Sequence, residues 1–179
     1  MNKKEIQGEV DRRLSNGESK TLVFRLLSGS GINDRVLAHQ IASYASPMLC
    51  QCHSKLILAM IVIAWVQLVI ALLIGIVIGL KMGLLGMLIV TAFVGALAYL
   101  FVWGFSHNKA WAYNATILLS IANSPKSLNG FTETPILSIV SLLLGIALFS
   151  FTWFVRRKLF PDFAFIAPKK VKGAYVFSN

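Results

Sequence analysis

The sequence predicts an all-α integral membrane protein, with four transmembrane helices, a small N-terminal cytoplasmic helical unit and a short basic, aromatic C-terminal tail that is compatible with a β-hairpin. Composition is the first of two observations behind this prediction. Apolar residues make up 56% of the 179 residues, charged residues make up 13%, and the mean hydropathy is +0.72. Soluble domains are about 45–50% apolar and about 25% charged, so a soluble fold could not bury this much apolar surface.

The second observation is that the charges avoid the middle of the chain. Residues 1–55 hold eight basic and five acidic residues, and residues 156–179 hold six basic and one acidic residue. The hundred residues between them hold only four charges: Lys81, Lys109, Lys126 and Glu133. Basic flanks around an apolar block are typical of membrane proteins. We therefore divide the chain into an N-terminal cytoplasmic helical unit (1–54), a transmembrane domain (55–155) and a basic tail (156–179).

The N-terminal unit has the pattern of short amphipathic helices. One apolar face repeats every four residues, at Ile6, Val10 and Leu14. A second apolar face consists of Leu22, Val23, Leu26 and Leu27. Asn33 can cap a third helix, and Pro47 ends it. Three helices in so few residues form a marginal core by themselves, so we expect this unit to dock on the membrane domain or on a partner.

Four segments are the predicted spans, at about residues 56–80, 82–105, 108–125 and 135–155. The first, second and last are uncharged and long enough to cross a hydrocarbon core of about 30 Å. The third is shorter and more polar, so it is compatible with either a span or an interfacial helix; its polar residues are Asn114, Thr116, Ser120 and Asn123. Residues 124–135 are predicted to form a loop.

The distribution of basic residues favours four spans over three. Four spans place both basic ends and the segment around Lys109 on one side of the membrane, and leave the two remaining loops with only two basic residues between them, Lys81 and Lys126. Because basic loops stay in the cytoplasm, we expect an inner (plasma) membrane protein with both termini cytoplasmic.

A cluster of metal-ligating side chains lies just before the first span. Cys50, Cys52 and His53 carry two thiols and an imidazole, which zinc and copper bind well. Only His39 is near enough in sequence to supply a fourth ligand, and zinc sites usually separate the cysteines by two or more residues. We therefore expect neither a metal nor any other cofactor, and we keep these three residues as weak metal candidates.

Two further sets of residues have an expected structural role. Gly75 and Gly79 form a small-residue stripe that lets helices approach closely, and we expect packing within the chain rather than self-association. Basic residues interleaved with aromatics in the tail are expected to contact anionic lipid headgroups: Arg156, Arg157, Lys158, Lys169, Lys170 and Lys172.

No catalytic pattern is present in the spans, which contain no Asp or Glu and no nucleotide-binding or hydrolase motif. We expect a non-enzymatic accessory, assembly or protective (immunity-like) role, with a protein partner bound through the cytoplasmic helices. The first alternative is a small oligomeric channel or holin-like pore-former, although its spans offer little polar lining. The second is a metal-binding membrane protein that uses Cys50, Cys52 and His53. A nucleic-acid partner is not expected, because residues 1–55 carry a net charge of only +3.

Overall fold

The computed structural model describes residues 3–29, 31–129 and 135–178. The chain is mostly helical, with 76% of its residues in helices. The described elements follow one another in this order: α1 (Lys3–Ser15), α2 (Lys20–Leu27), α3 (Asp34–Ala42), α4 (Pro47–Cys52), α5 (Ser54–Leu80), α6 (Gly83–Ser106), α7 (Ala110–Asn129), α8 (Pro135–Leu159), β1 (Lys170–Val171) and β2 (Ala174–Tyr175).

The chain forms two compact units. Met1–Leu49 and Arg156–Asn179 make up the first, which we call the terminal unit. Cys50–Val155 makes up the second, which we call the membrane unit. By sequence pattern, residues 1–54 and residues 156–179 are predicted to be two separate parts of the chain. In the structure, the terminal unit combines most of the first part with all of the second. The physical reason is that the N-terminal helices are too small to enclose a core, and an aromatic residue of the tail helps to fill it.

The core of the terminal unit is built by the inward faces of α1, α2 and α3. Its buried members are Ile6, Val10, Leu14, Val23, Leu27, Leu37, Ala38, Ile41 and Phe177. The side chain of Asn33 accepts a hydrogen bond from the backbone N–H of Arg35, which confirms the predicted cap of α3. On α2, Leu22 and Leu26 are exposed, at 43% and 52%, although the sequence pattern grouped them with the buried Val23 and Leu27.

The membrane unit is organised around a hairpin of α5 and α6, which pack along their lengths. A two-residue turn joins them, and Gly83 follows it with a φ of +83°, a conformation that favours glycine. Helix α7 meets α6 near their shared connection, where the rings of Phe105 and Tyr113 are 4.9 Å apart, edge to face. Helix α8 touches α5 where the Thr152 hydroxyl lies 3.9 Å from the sulfur of Met60.

Three of the described helices are long and apolar enough to cross a membrane: Ser54–Leu80, Gly83–Ser106 and Ser138–Leu159. They correspond to the first, second and fourth predicted spans. Helix α7 covers the third predicted span and continues to Asn129, so residues 124–129 are helical and not part of the expected loop. The remainder of that loop, residues 130–134, lies outside the described residues.

Candidate functional site

An ion pair inside the terminal unit connects the two ends of the chain. Lys20 Nζ lies 2.5 Å from Asp162 Oδ2, and the two residues are only 9% and 2% exposed. The other carboxylate oxygen, Oδ1, accepts hydrogen bonds from the backbone N–H and the hydroxyl of Ser178. A buried charge is tolerated only when it is paired and hydrogen-bonded, and both conditions are met at Asp162. We call Lys20, Asp162 and Ser178 the terminal clasp.

Local structure explains how the clasp is positioned. Lys20 is the first residue of α2, directly after Ser19, whose side chain caps the helix by accepting from the N–H of Leu22. Asp162 follows the end of α8, and its carbonyl accepts a hydrogen bond of 2.8 Å from the N–H of Lys169. The backbone of Asp162 is thereby fixed by Lys169, its carboxylate is held by the N–H and hydroxyl of Ser178, and α2 positions the ammonium group of Lys20 beside it.

Aromatic packing adds a second link between the two ends of the chain. The ring of Phe24 on α2 lies 5.5 Å from the rings of both Tyr175 and Phe177. Such tilted aromatic pairs contribute about 0.5–1.5 kcal/mol each beyond the area that they bury. The terminal unit is therefore held together by a buried ion pair and by a cluster of rings.

Arg156 is placed differently from the other basic residues of the tail. It is 1% exposed and donates a hydrogen bond to the carbonyl of Phe165. Its guanidinium carbon lies 5.1 Å from the centre of the Phe163 ring, which is the distance range of a cation–π contact. Arg157 and Lys158, the next two residues of α8, are exposed. The side chain of Arg156 is thus engaged by contacts inside the protein. Those of Arg157 and Lys158 stay accessible to lipid headgroups.

The remaining basic residues lie on and beside a short antiparallel hairpin. Lys170 pairs with Tyr175, and Val171 pairs with Ala174. The turn between the strands has φ values of 50° at Lys172 and 85° at Gly173, as a two-residue turn of type I′ requires. The ammonium group of Lys170 lies 4.4 Å above the Tyr175 ring. Lys169 is also exposed, so the hairpin presents three accessible cations: Lys169, Lys170 and Lys172.

The cysteine cluster does not gather a full set of metal ligands in the described part of the chain. Cys50 lies half-buried in α4, Cys52 is exposed at the end of that helix, and His53 directly precedes α5. Across residues 3–29, 31–129 and 135–178, no three His, Cys, Asp or Glu side chains are grouped so that they could hold a metal ion. Burial raises the pKa of the Cys50 thiol, which keeps it protonated at neutral pH.

The two glycines singled out by the sequence lie where α5 and α6 approach most closely. A Cβ atom at Gly75 would lie 3.1 Å from the Cα of Thr91, and one at Gly79 would overlap the Cα of Met87. Both neighbours are backbone atoms, which cannot give way without moving the helix. Gly75 and Gly79 therefore set the spacing of this hairpin within the chain.

Comparison of the chain with models of known protein families, with curated proteins and with solved structures found no match. The terminal clasp is the feature that sequence reasoning missed, because a single lysine at a helix start and a single aspartate in a tail carry no motif.

Proposed function

We propose that this protein crosses the inner (plasma) membrane four times and keeps both termini in the cytoplasm. The clasp supports this topology. Residues 1–49 and 156–179 make direct side-chain contacts, such as the ion pair of Lys20 with Asp162, and such contacts cannot form across a bilayer. These contacts support a location of both ends on one side of the membrane, and such a location goes with an even number of crossings.

Helix α7 is the natural fourth span. Helices α5, α6 and α8 are the three candidates by length and hydropathy. The 20 residues of α7 correspond to about 30 Å of helix, which matches the hydrocarbon core of a bilayer. One face of α7 is buried, at Ala112, Tyr113 and Ile117, while Leu118, Leu119 and Ile121 are exposed, which is compatible with a span that packs on other helices along one face. The excess of basic residues at both ends then supports a cytoplasmic location for the terminal unit.

The proposed role is a non-enzymatic accessory, assembly or protective one, in which the terminal unit binds a partner protein. The single observation that carries this proposal is the clasp. It joins two segments, each too small to form a stable core alone, into one compact unit whose surface can bind a partner. On that surface, Leu22, Arg25 and Leu26 are exposed on one face of α2, at positions i, i+3 and i+4. A segment that carries apolar and acidic side chains would complement this face in both hydrophobicity and charge.

Affinity purification in mild detergent tests this proposal with a matched pair of variants. Leu22→Glu combined with Leu26→Glu places two carboxylates on the α2 face and leaves the buried Val23 and Leu27 intact. Val171→Glu, at an equally exposed apolar residue of β1, is the control. We expect a stoichiometric partner with the wild type and the control, and its loss with the α2 variant. Recovery of the same proteins with all three would contradict the proposal.

A further inference from the structure

A polar crevice lies within the membrane unit. Its volume is about 300 Å³, and all four long helices contribute to its lining. The polar side chains that line it come from α5, α7 and α8: Gln67, Thr116, Ser120, Asn123 and Ser141. On α7, three of these residues follow one another at helical spacing and so share one face. Polar residues from three helices therefore share the lining of the crevice with apolar ones.

The polar side chains of the crevice carry a free-energy cost, because they lie deep in the membrane unit. Gln67 lies at the midpoint of α5, a helix of 27 residues, and is therefore about 20 Å from either end. Water is scarce at that depth, and a polar group that faces hydrocarbon without a hydrogen-bond partner is strongly unfavourable. Polar residues inside a membrane domain therefore need partners, which can be a neighbouring helix or a bound molecule.

The hydrogen-bonding capacity of the lining is only partly used by the protein. The Thr116 hydroxyl donates to the carbonyl of Ala112, and the Ser141 hydroxyl donates to the carbonyl of Ser138, so both keep free acceptor lone pairs. The side-chain amides of Gln67 and Asn123 make no hydrogen bond to any residue that the structure describes. The crevice therefore offers donors from the amides and acceptors from both amides and hydroxyls.

Two more features of the lining indicate which kind of molecule the crevice could bind. No ionisable residue belongs to the described lining, so these residues offer no counter-charge to a charged molecule. Gly145 of α8 also faces the crevice, and a Cβ atom built on it would meet nothing within 4 Å. The glycine thus keeps volume open that a larger side chain would fill.

We propose that this crevice binds a small uncharged molecule that carries hydroxyl groups, with the chemistry of glycerol. Hydroxyl groups both donate and accept, which matches the mixed lining of amides and hydroxyls. A free polyol and the glycerol moiety of a neutral lipid share this chemistry. The inference goes beyond the proposed partner-binding role and does not depend on it, because every residue that carries it belongs to the membrane unit. It rests on the proposed topology in which α7 is a span, and the fusion experiment tests that topology separately.

The first experiment measures whether the crevice is polar in the membrane. In a protein with Cys50→Ser and Cys52→Ser, Gly145→Cys is labelled in nanodiscs with a water-soluble methanethiosulfonate. Leu144→Cys is the control, since the neighbouring Leu144 is 66% exposed on α8 and does not line the crevice. Because only thiolates react and thiolates need a polar environment, we expect labelling at position 145 to be about tenfold faster or more. Equally slow labelling at both positions would overturn the proposal.

The second experiment identifies the occupant by protection of the same thiol. The probes are glycerol, dioctanoylglycerol and dioctanoyl phosphatidic acid, and labelling of the native, exposed Cys52 in a Cys50→Ser protein corrects for viscosity. We expect a several-fold decrease in the labelling rate with one of the two neutral probes, which distinguishes a free polyol from a lipid. Gln67→Leu is expected to abolish that protection while leaving the labelling itself. Protection by neither neutral probe, or equal protection by the phosphatidic acid, would overturn the proposal.

Discussion

Lys20 and Asp162 stand 142 positions apart in the sequence, yet Lys20 Nζ and Asp162 Oδ2 lie 2.5 Å apart in the folded chain. All of the membrane unit lies between them in the sequence. The pair therefore ties the start of the chain to its tail, and it does so in a buried position where each charge depends on the other.

Removing one partner of this pair is expected to destabilise the terminal unit strongly. In Asp162→Ala the ammonium group of Lys20 stays buried without its counter-charge, which costs about 3–5 kcal/mol in comparable buried pairs. Lys20→Met with Asp162→Leu replaces both charges by apolar side chains and is expected to cost clearly less than either single change. Urea titration with pulse proteolysis in nanodiscs would measure the free energy of unfolding of the wild type, of Asp162→Ala and of the double variant.

The ion pairs of Glu9 serve as the control for that experiment, because the Glu9 side chain is 21% exposed and that of Asp162 is 2% exposed. On α1, Glu9 accepts hydrogen bonds from Arg13 and Arg12, which lower the pKa of its carboxyl group. The side chains are solvent-accessible, so Glu9→Gln is expected to leave the urea midpoint almost unchanged. Equal effects of Glu9→Gln and Asp162→Ala on the urea midpoint would mean that burial of the clasp contributes nothing to the stability of the terminal unit.

Topology is tested by fusions at successive connections. We expect alkaline phosphatase to be inactive when fused after residue 109 or after residue 178, and active when fused after Lys81. Fluorescent-protein fusions should give the opposite result, since they fluoresce in the cytoplasm. An active phosphatase after residue 178 would exclude the four-span arrangement and make α7 an interfacial helix.

The glycines of the membrane unit are expected to differ in their tolerance of a side chain. Gly75→Leu with Gly79→Leu should lower the melting temperature or prevent folding, because both side chains would meet the α6 backbone. Gly145→Ala is the matched control: its Cβ meets nothing, and alanine favours a helix over glycine by about 1 kcal/mol. Thermal unfolding in detergent checks both, and wild-type stability of the double variant would mean that the two helices do not pack there.

The basic hairpin is expected to bind anionic lipid. Lys169, Lys170 and Lys172 are exposed, and each contributes about 1 kcal/mol near an anionic surface. Replacing all three with Glu should reduce the phosphatidylglycerol that copurifies, as counted by native mass spectrometry, and salt near 1 M should reduce it in the wild type. Charge reversal at the exposed Arg12 is the control; an equal loss there would assign lipid binding to overall charge and not to the hairpin.

Cys50 is expected to react slowly with alkylating agents at neutral pH. Burial raises the pKa of its thiol, so less of it is thiolate at pH 7 than in a free cysteine, by about tenfold for each unit of pKa. Its alkylation rate should keep increasing with pH after that of a free cysteine has levelled off. Mass spectrometry of a Cys52→Ser protein measures this rate. Faster alkylation than that of free cysteine would contradict the structure.

Hydropathy was sufficient to predict α5, α6 and α8, because a long uncharged stretch has few alternatives to a membrane helix. The four-residue spacing of Ile6, Val10 and Leu14 likewise predicted a buried face of α1. Contacts between residues far apart in the sequence could not be predicted, because they have no periodic pattern in the sequence. Arg156, Arg157 and Lys158 are equivalent as a sequence run, and only the contacts of Arg156 with the tail distinguish it.

The terminal unit also has a consequence for the order in which the protein is made. At about 5–20 residues per second, Asp162 leaves the ribosome roughly 7–30 s after Lys20. During that interval α1, α2 and α3 lack Phe177 and have no counter-charge for Lys20. Until the tail has been made, this surface is open to proteases and chaperones. Completion of the clasp thus has to wait until the entire membrane unit has been synthesised.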